Sequence, residues 1–183
     1  MKYFTRELWL EAQGQKKTEE NKKAWDKAWI DYRIELERIK PRLSKEQFLF
    51  FAEADLHDGE LLYLNIVDGS RPAPLSEASR PWNSPINFPV RVELAVLDAD
   101  EKYIWTINYS NIKRVFVDFP SSEPLFFSDG GGFGDWGYHE ITEAASDFLR
   151  HEVLFSSGAA FFVEFGAVDV RQSAGRIEPR KSQ

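Results

Sequence analysis

Apolar and polar residues alternate most regularly between Leu149 and Phe165, where a β-hairpin can be aligned residue by residue. Take Ser156-Ser157-Gly158 as a three-residue loop, with Gly158 in the left-handed position such loops require. Phe155 then faces Ala159, Val153 faces Phe161, His151 faces Val163 and Leu149 faces Phe165. That face is apolar except for His151. The other face sets Arg150 against Glu164, an oppositely charged cross-strand pair. A two-residue loop would put Arg150 and Glu152 on the side of Phe161, Val163 and Phe165, so the three-residue register is the expected one. Beyond Phe165 the inward positions pass to Val168 and Val170, a change of phase that predicts a bulge at Gly166.

The same period of two recurs upstream. With Asp98–Glu101 as a loop, Val96, Leu94, Val92 and Val90 face Tyr103, Trp105, Ile107 and Tyr109, while Arg91, Glu93, Thr106 and Asn108 face solvent. Ile112 to Phe119 reads as the next strand, Glu60 to Val67 as an earlier one, and Leu125-Phe126-Phe127 as a short edge piece. From Tyr138 to Phe148 both periods fit; a strand followed by a turn is the favoured reading. The segment 68–89 holds five of the nine prolines and reads as a long loop, pinned by Trp82 and Phe88.

The first third of the chain has a helical period instead. Thr5 caps a short helix stopped by Gly14. A longer one runs from about Thr18 to Lys40 before Pro41, with Trp25, Ala28, Trp29, Tyr32, Leu36 and Ile39 on one stripe. Ser44 and Gln47 make a capping box for a third, running to about Asp55, with Leu43 and Phe48 placed as a hydrophobic staple. Leu56-His57-Asp58-Gly59 then turns the chain into the β part. The expected fold is α+β: helices over about 5–55 packed on a single curved, mostly antiparallel sheet of six or seven strands over about 60–171. Residues 1–171 form one domain in this reading, and 172–183 a flexible tail.

Composition narrows the function classes. The 183 residues are enough for a real core, and the 15 Phe, 6 Trp and 6 Tyr are suited to fill it. Without cysteine there is no disulfide framework and no thiol nucleophile. No apolar run approaches a membrane span, and Arg6, Glu7 and Glu11 interrupt any secretory leader, so a cytoplasmic protein away from membranes is expected. Residues 1–47 carry 12 Lys/Arg against 9 Asp/Glu, whereas the remainder carries 11 against 21. Such an acidic β part repels phosphate backbones, so nucleic acid is not an expected partner.

Three features carry candidate chemistry. Gly132-Phe133-Gly134-Asp135-Trp136-Gly137 matches Gly-x-Gly-x-x-Gly literally, but its neighbours read as antiparallel hairpins rather than a βαβ unit, and Asp129 and Asp135 would repel phosphate. Its stronger use is as a recognition loop, with Phe133 and Trp136 exposed to anchor in a partner protein. The histidines all precede an acid, as His57-Asp58, His139-Glu140 and His151-Glu152. His57, Asp58 and His139 are the candidates for acid–base or metal chemistry; His57 is placed at a helix C-terminus, where a partly positive imidazole suits the dipole. His151, on an apolar face, reads as a hydrogen-bonded core residue. Adjacent strand residues point to opposite faces, so no His-Glu dipeptide can chelate with both members; no metal or cofactor site is expected. The third feature is the aromatic stripe from Trp25 to Ile39, read as packing on the domain's own sheet, with an oligomer interface as the alternative.

The opening Met-Lys-Tyr-Phe-Thr-Arg-Glu-Leu-Trp, the Leu56-His57-Asp58-Gly59 turn and the closing His151–Gly158 hairpin resemble a family of uncharacterised bacterial proteins common in Bacillus-like organisms. Similar turns and closing hairpins occur in small proteins assigned as immunity partners of bacterial toxins. The resemblance implies no catalytic residues. The expected function is therefore a non-enzymatic module that binds another protein, an immunity-like role included. The alternatives are a small-ligand or metal-dependent enzyme using His57, Asp58 and His139, and a structural or regulatory oligomer subunit.

Overall fold

Three helices come first, and each begins where the sequence supplies an acceptor for free backbone N–H groups. The structure, a computed structural model, describes residues 1–13, 18–68, 90–119, 132–145 and 147–175. In α1 (Arg6–Gln13) the Thr5 hydroxyl accepts the N–H of Leu8 at 3.2 Å. In α2 (Glu19–Ile39) Thr18 accepts the N–H of Asn21 at 3.1 Å, and Pro41 ends the run inside a 3-10 turn, Lys40–Arg42. In α3 (Lys45–Glu53) both halves of the Ser44–Gln47 capping box are present. That helix stops two residues before the expected Asp55. Along α2 the expected stripe is buried at Ala28, Tyr32, Leu36 and Ile39 and half-buried at Trp25, while Trp29 remains 40% exposed.

Six antiparallel strands follow among the described residues: β1 (Gly59–Asp68), β2 (Val90–Leu97), β3 (Tyr103–Asp118), β4 (Asp135–Ala145), β5 (Phe148–Phe155) and β6 (Ala160–Ala174). The α+β class is as the sequence pattern predicts. The curved sheet goes further and closes into a barrel in the order β1-β2-β3-β6-β5-β4, with β4 returning to β1. The closing seam is short, Gly59 opposite Trp136 and Glu60 opposite Asp135. It depends on Gly59, where an added Cβ would lie 2.7 Å from the Leu97 carbonyl oxygen and 2.9 Å from that of Leu56. Beyond the seam no strand among the described residues pairs with that edge of β4, and α2 covers it. The Tyr32 hydroxyl accepts the N–H of Ile141 at 3.1 Å, and Glu35 that of Glu143 at 3.3 Å. Also from β4, the buried Glu140 carboxylate accepts the N–H groups of Tyr3 at 2.8 Å, Phe4 at 3.1 Å and also Lys2, fixing the segment before α1.

The interior is built from the positions the alternation selects. Val92, Leu94, Val96, Ile107, Val153, Phe161, Val163 and Phe165 are each at most 1% exposed. Burying one such side chain stabilises the fold by about 1.5–3 kcal/mol. The β5–β6 hairpin has the expected register, with Leu149 opposite Phe165, Arg150 opposite Glu164 and His151 opposite Val163, and Gly158 at φ 83°.

Other expectations are corrected. The β2–β3 register is displaced by two residues: Val96 faces Trp105 and Val92 faces Tyr109. Asp98 is the cause, since its carboxylate accepts the N–H groups of Lys102 at 2.7 Å and Tyr103 at 3.2 Å, drawing Lys102 into the turn while Glu101 takes φ 56°. A shift of two keeps the same residues inside. Ile112–Phe119 is not a separate strand, because β3 runs unbroken through Asn111 and pairs with β6 on both sides of it. The register shift lies on β3, between Ile112 and Arg114, rather than on β6; Gly166 is the close-approach partner, with Asn111 Nδ2 only 2.2 Å from where its Cβ would be. Residues 138–145 are strand, as favoured. The tail expected from Gln172 is strand as far as Ala174, opposite Tyr103. The predicted roles of Gly14, Trp82, Phe88, Asp129 and Leu125-Phe126-Phe127 fall outside the described residues, as does 176–183.

Candidate functional site

The Leu56–Gly59 turn is closed by the Gly59 N–H on the Leu56 carbonyl at 2.9 Å, with Asp58 at φ 61°. It is tied to β4 by the Asp58 N–H on the Trp136 carbonyl at 2.8 Å. His57 stands on this turn, beyond the end of α3, so the helix-dipole reading of it does not hold. Its Nδ1–H donates to the Gly137 carbonyl at 2.9 Å, and its ring stacks on Tyr138 at 4.7 Å. In the neutral ring that bond leaves Nε2 as the acceptor nitrogen. Asp58 Oδ1 lies 3.6 Å from Nε2, on a side chain 72% exposed.

His139 comes to the same place from β4. Both histidines line a cleft of about 90 Å³, with Asp55, Tyr32, Phe51 and Trp136 among its other walls. Asp58 is beside the cleft rather than in its lining. The volume suits a few waters or a very small ligand, well short of the ~300 Å³ at which drug-sized sites begin. A larger hollow of about 460 Å³ between α1 and the start of α2 is floored by Trp25 and Tyr138.

Behind the cleft is a chain that sequence reasoning did not foresee. His139 Nδ1 is 3.1 Å from His151 Nε2, and His151 Nδ1 bonds the Tyr109 hydroxyl. The two histidines are diagonal neighbours on one face, since His139 pairs with Val153 and His151 with Ile141. Burial pushes the His139 imidazole down to about 4. It lowers His151 well below the usual range, with His139 beside it adding to the effect, and raises the Tyr109 hydroxyl well above its own. Both rings are therefore neutral at pH 7. Each can donate with one nitrogen and accept with the other, as a relay from Tyr109 through His151 to His139 requires. The core reading of His151 is correct, and its partner is now identified. Phe50 and Phe51 of α3 pack edge-on to these rings. Among the described residues no three His, Asp or Glu side chains are gathered as a metal site requires.

The two expected recognition residues separate. Trp136 is the second residue of β4, 0% exposed and packed on His139, His151 and Phe155, so it is not the exposed partner anchor expected from the sequence. Pairing with Gly59 and Phe155 orders the segment from Asp135 onward, and the bulky indole is the residue that goes inside. Its N–H has no hydrogen-bond partner among the described residues. Phe133 is half-buried, against Phe155 at 4.8 Å and Phe119 at 4.7 Å. Phe119 is 53% exposed and Phe116, near the end of β3, 47%. Phe116 stacks on Phe162 across the β3–β6 ladder at 5.2 Å, and the Arg150 guanidinium lies 4.6 Å above the Phe162 ring. The signal for Phe116 was present in the alternation of β3, which places it on the outer face.

Comparison with models of known families, with curated proteins and with solved structures finds no match.

Proposed function

We propose that this protein is a non-enzymatic module that binds another protein, an immunity-like role included, through the phenylalanines at the end of β3. The observation that carries this reading is the exposure of Phe116 and Phe119, continued by Phe162 and Phe133. Exposed aromatic side chains backed by a rigid sheet are the usual anchors of protein interfaces. A net charge of −7 favours a basic partner. The test is affinity capture from host lysate with the wild type beside a Phe116→Ala/Phe119→Ala double variant, followed by titration of any enriched protein. Binding weakened at least about tenfold in a variant of unchanged circular dichroism supports the reading. Equal capture by both proteins overturns it.

A second reading is an enzyme or receptor for a very small ligand. It is favoured by the convergence of His57 and His139 on one cleft beside the Trp136 indole, whose N–H has no partner among the described residues. A melting-temperature rise with one small metabolite or metal, lost in His57→Ala, is its expected mark; identical shifts in both proteins would remove His57 from the site.

A further inference from the structure

Helix α2 turns a second stripe to solvent, opposite the buried Ala28, Tyr32, Leu36 and Ile39. Lys23, Lys27, Ile30, Ile34 and Glu37 lie along it, all exposed. Ile30 and Ile34, one turn apart, are 60% and 64% exposed, the highest values among large apolar side chains of the described residues. From Lys27 to Glu37 the stripe reads Lys-x-x-Ile-x-x-x-Ile-x-x-Glu. Its spacing is symmetric about Tyr32, and its charge is opposite at the two ends.

We propose that this face docks a second copy of the chain, with two α2 helices packed antiparallel about a two-fold axis level with Tyr32. Each Ile30 then meets the second copy's Ile34, and each Lys27 meets the second copy's Glu37. A two-fold interface repeats each contact, so four apolar side chains sit between two ion pairs. A parallel pair would set Lys27 against Lys27 and Glu37 against Glu37, which the charges disfavour. A partner of one charge sign would be repelled at one end. The intrachain pairs Lys27–Asp31 and Lys40–Glu37 do not compete strongly, since the Lys27 and Glu37 side chains are 73% and 63% exposed and exposed pairs are weak. This face is on α2, apart from the β3–β6 phenylalanines, and the inference does not rest on the proposed function. A contact of one helix per copy is small, which places the dissociation constant at roughly micromolar to millimolar.

Sedimentation equilibrium of the full chain at rising concentration tests it, using wild type, Lys27→Glu, Glu37→Lys and the Lys27→Glu/Glu37→Lys double variant. Both substituted positions are exposed, and circular dichroism checks that each variant stays folded. The expected result is a wild-type monomer–dimer equilibrium weakened at least about tenfold by either single reversal and restored by the double variant to within about threefold. A wild type that stays monomeric up to millimolar concentration overturns the proposal. So does a dimer indifferent to the single reversals, or one that the double variant fails to restore.

Discussion

Trp136 and Phe116 divide two roles that hydrophobicity alone does not distinguish. Trp136 fills the barrel wall between His139, His151 and Phe155 at 0% exposure, whereas Phe116 lies on the outer face at 47%. Trp136→Ala is expected to destabilise the protein by about 3–5 kcal/mol in urea unfolding, the cost of a large buried cavity. A loss below about 1 kcal/mol would contradict the interior placement. His57 and His139 were legible as candidates from residue type alone. The chain behind His139 was not, because His151 meets it only once the β4–β5 register is set, and Tyr109, 30 positions away, reaches His151 only through the pairing of β5 with β6 and β6 with β3. Trp136 was misread because glycines on both sides suggested a loop, while the seam with β1 imposes a strand.

At the scale of elements, local signals did most of the work for the helices. Thr18 and the Ser44–Gln47 box mark helix starts in sequence because the residues that satisfy free N–H groups are three positions away. Hairpins are intermediate. The β5–β6 register follows from its own alternation and glycine, but the β2–β3 register depended on an Asp98 side chain that bonds two backbone N–H groups of the turn. No pattern of apolar residues reports such a bond. Barrel closure is further still from local signals. Tyr32 on α2 covers the edge of β4 across 109 positions; the stripe it belongs to points to a sheet, but nothing in the helix specifies that its hydroxyl accepts the N–H of Ile141.

For the whole molecule, the half-buried His139 and the buried His151 link stability to pH. The folded-state value of His139 is about 4, below the ~6.5 of an unfolded chain, so the unfolded state takes up a proton first. Stability therefore falls as pH drops from about 6.5 to about 4, by on the order of 3 kcal/mol from His139 alone. His151 acts in the same direction. Glu35 and Glu164, held below the usual carboxylate range by hydrogen bonds from Arg38 and Arg150, add their loss only at lower pH, through the carboxylate range. Melting temperatures measured from pH 7.5 to 4 are expected to decline steadily below about 6.5. A flat profile between 6.5 and 4.5 would mean that the rings are not held neutral by burial.

The sequence by itself determined the helices, the α+β class, the inward and outward faces of the paired strands and the last hairpin's register. These depend on contacts between residues close along the chain, or on a period that one strand carries alone. Only the tertiary structure decided that the sheet closes, that Trp136 is interior, that His139 joins His151 and Tyr109, and that His57 and His139 share a cleft. Each of those facts requires strands distant in sequence to be set at a definite register, which depends on side-chain bonds, glycine clearances and bulges rather than on the apolar pattern.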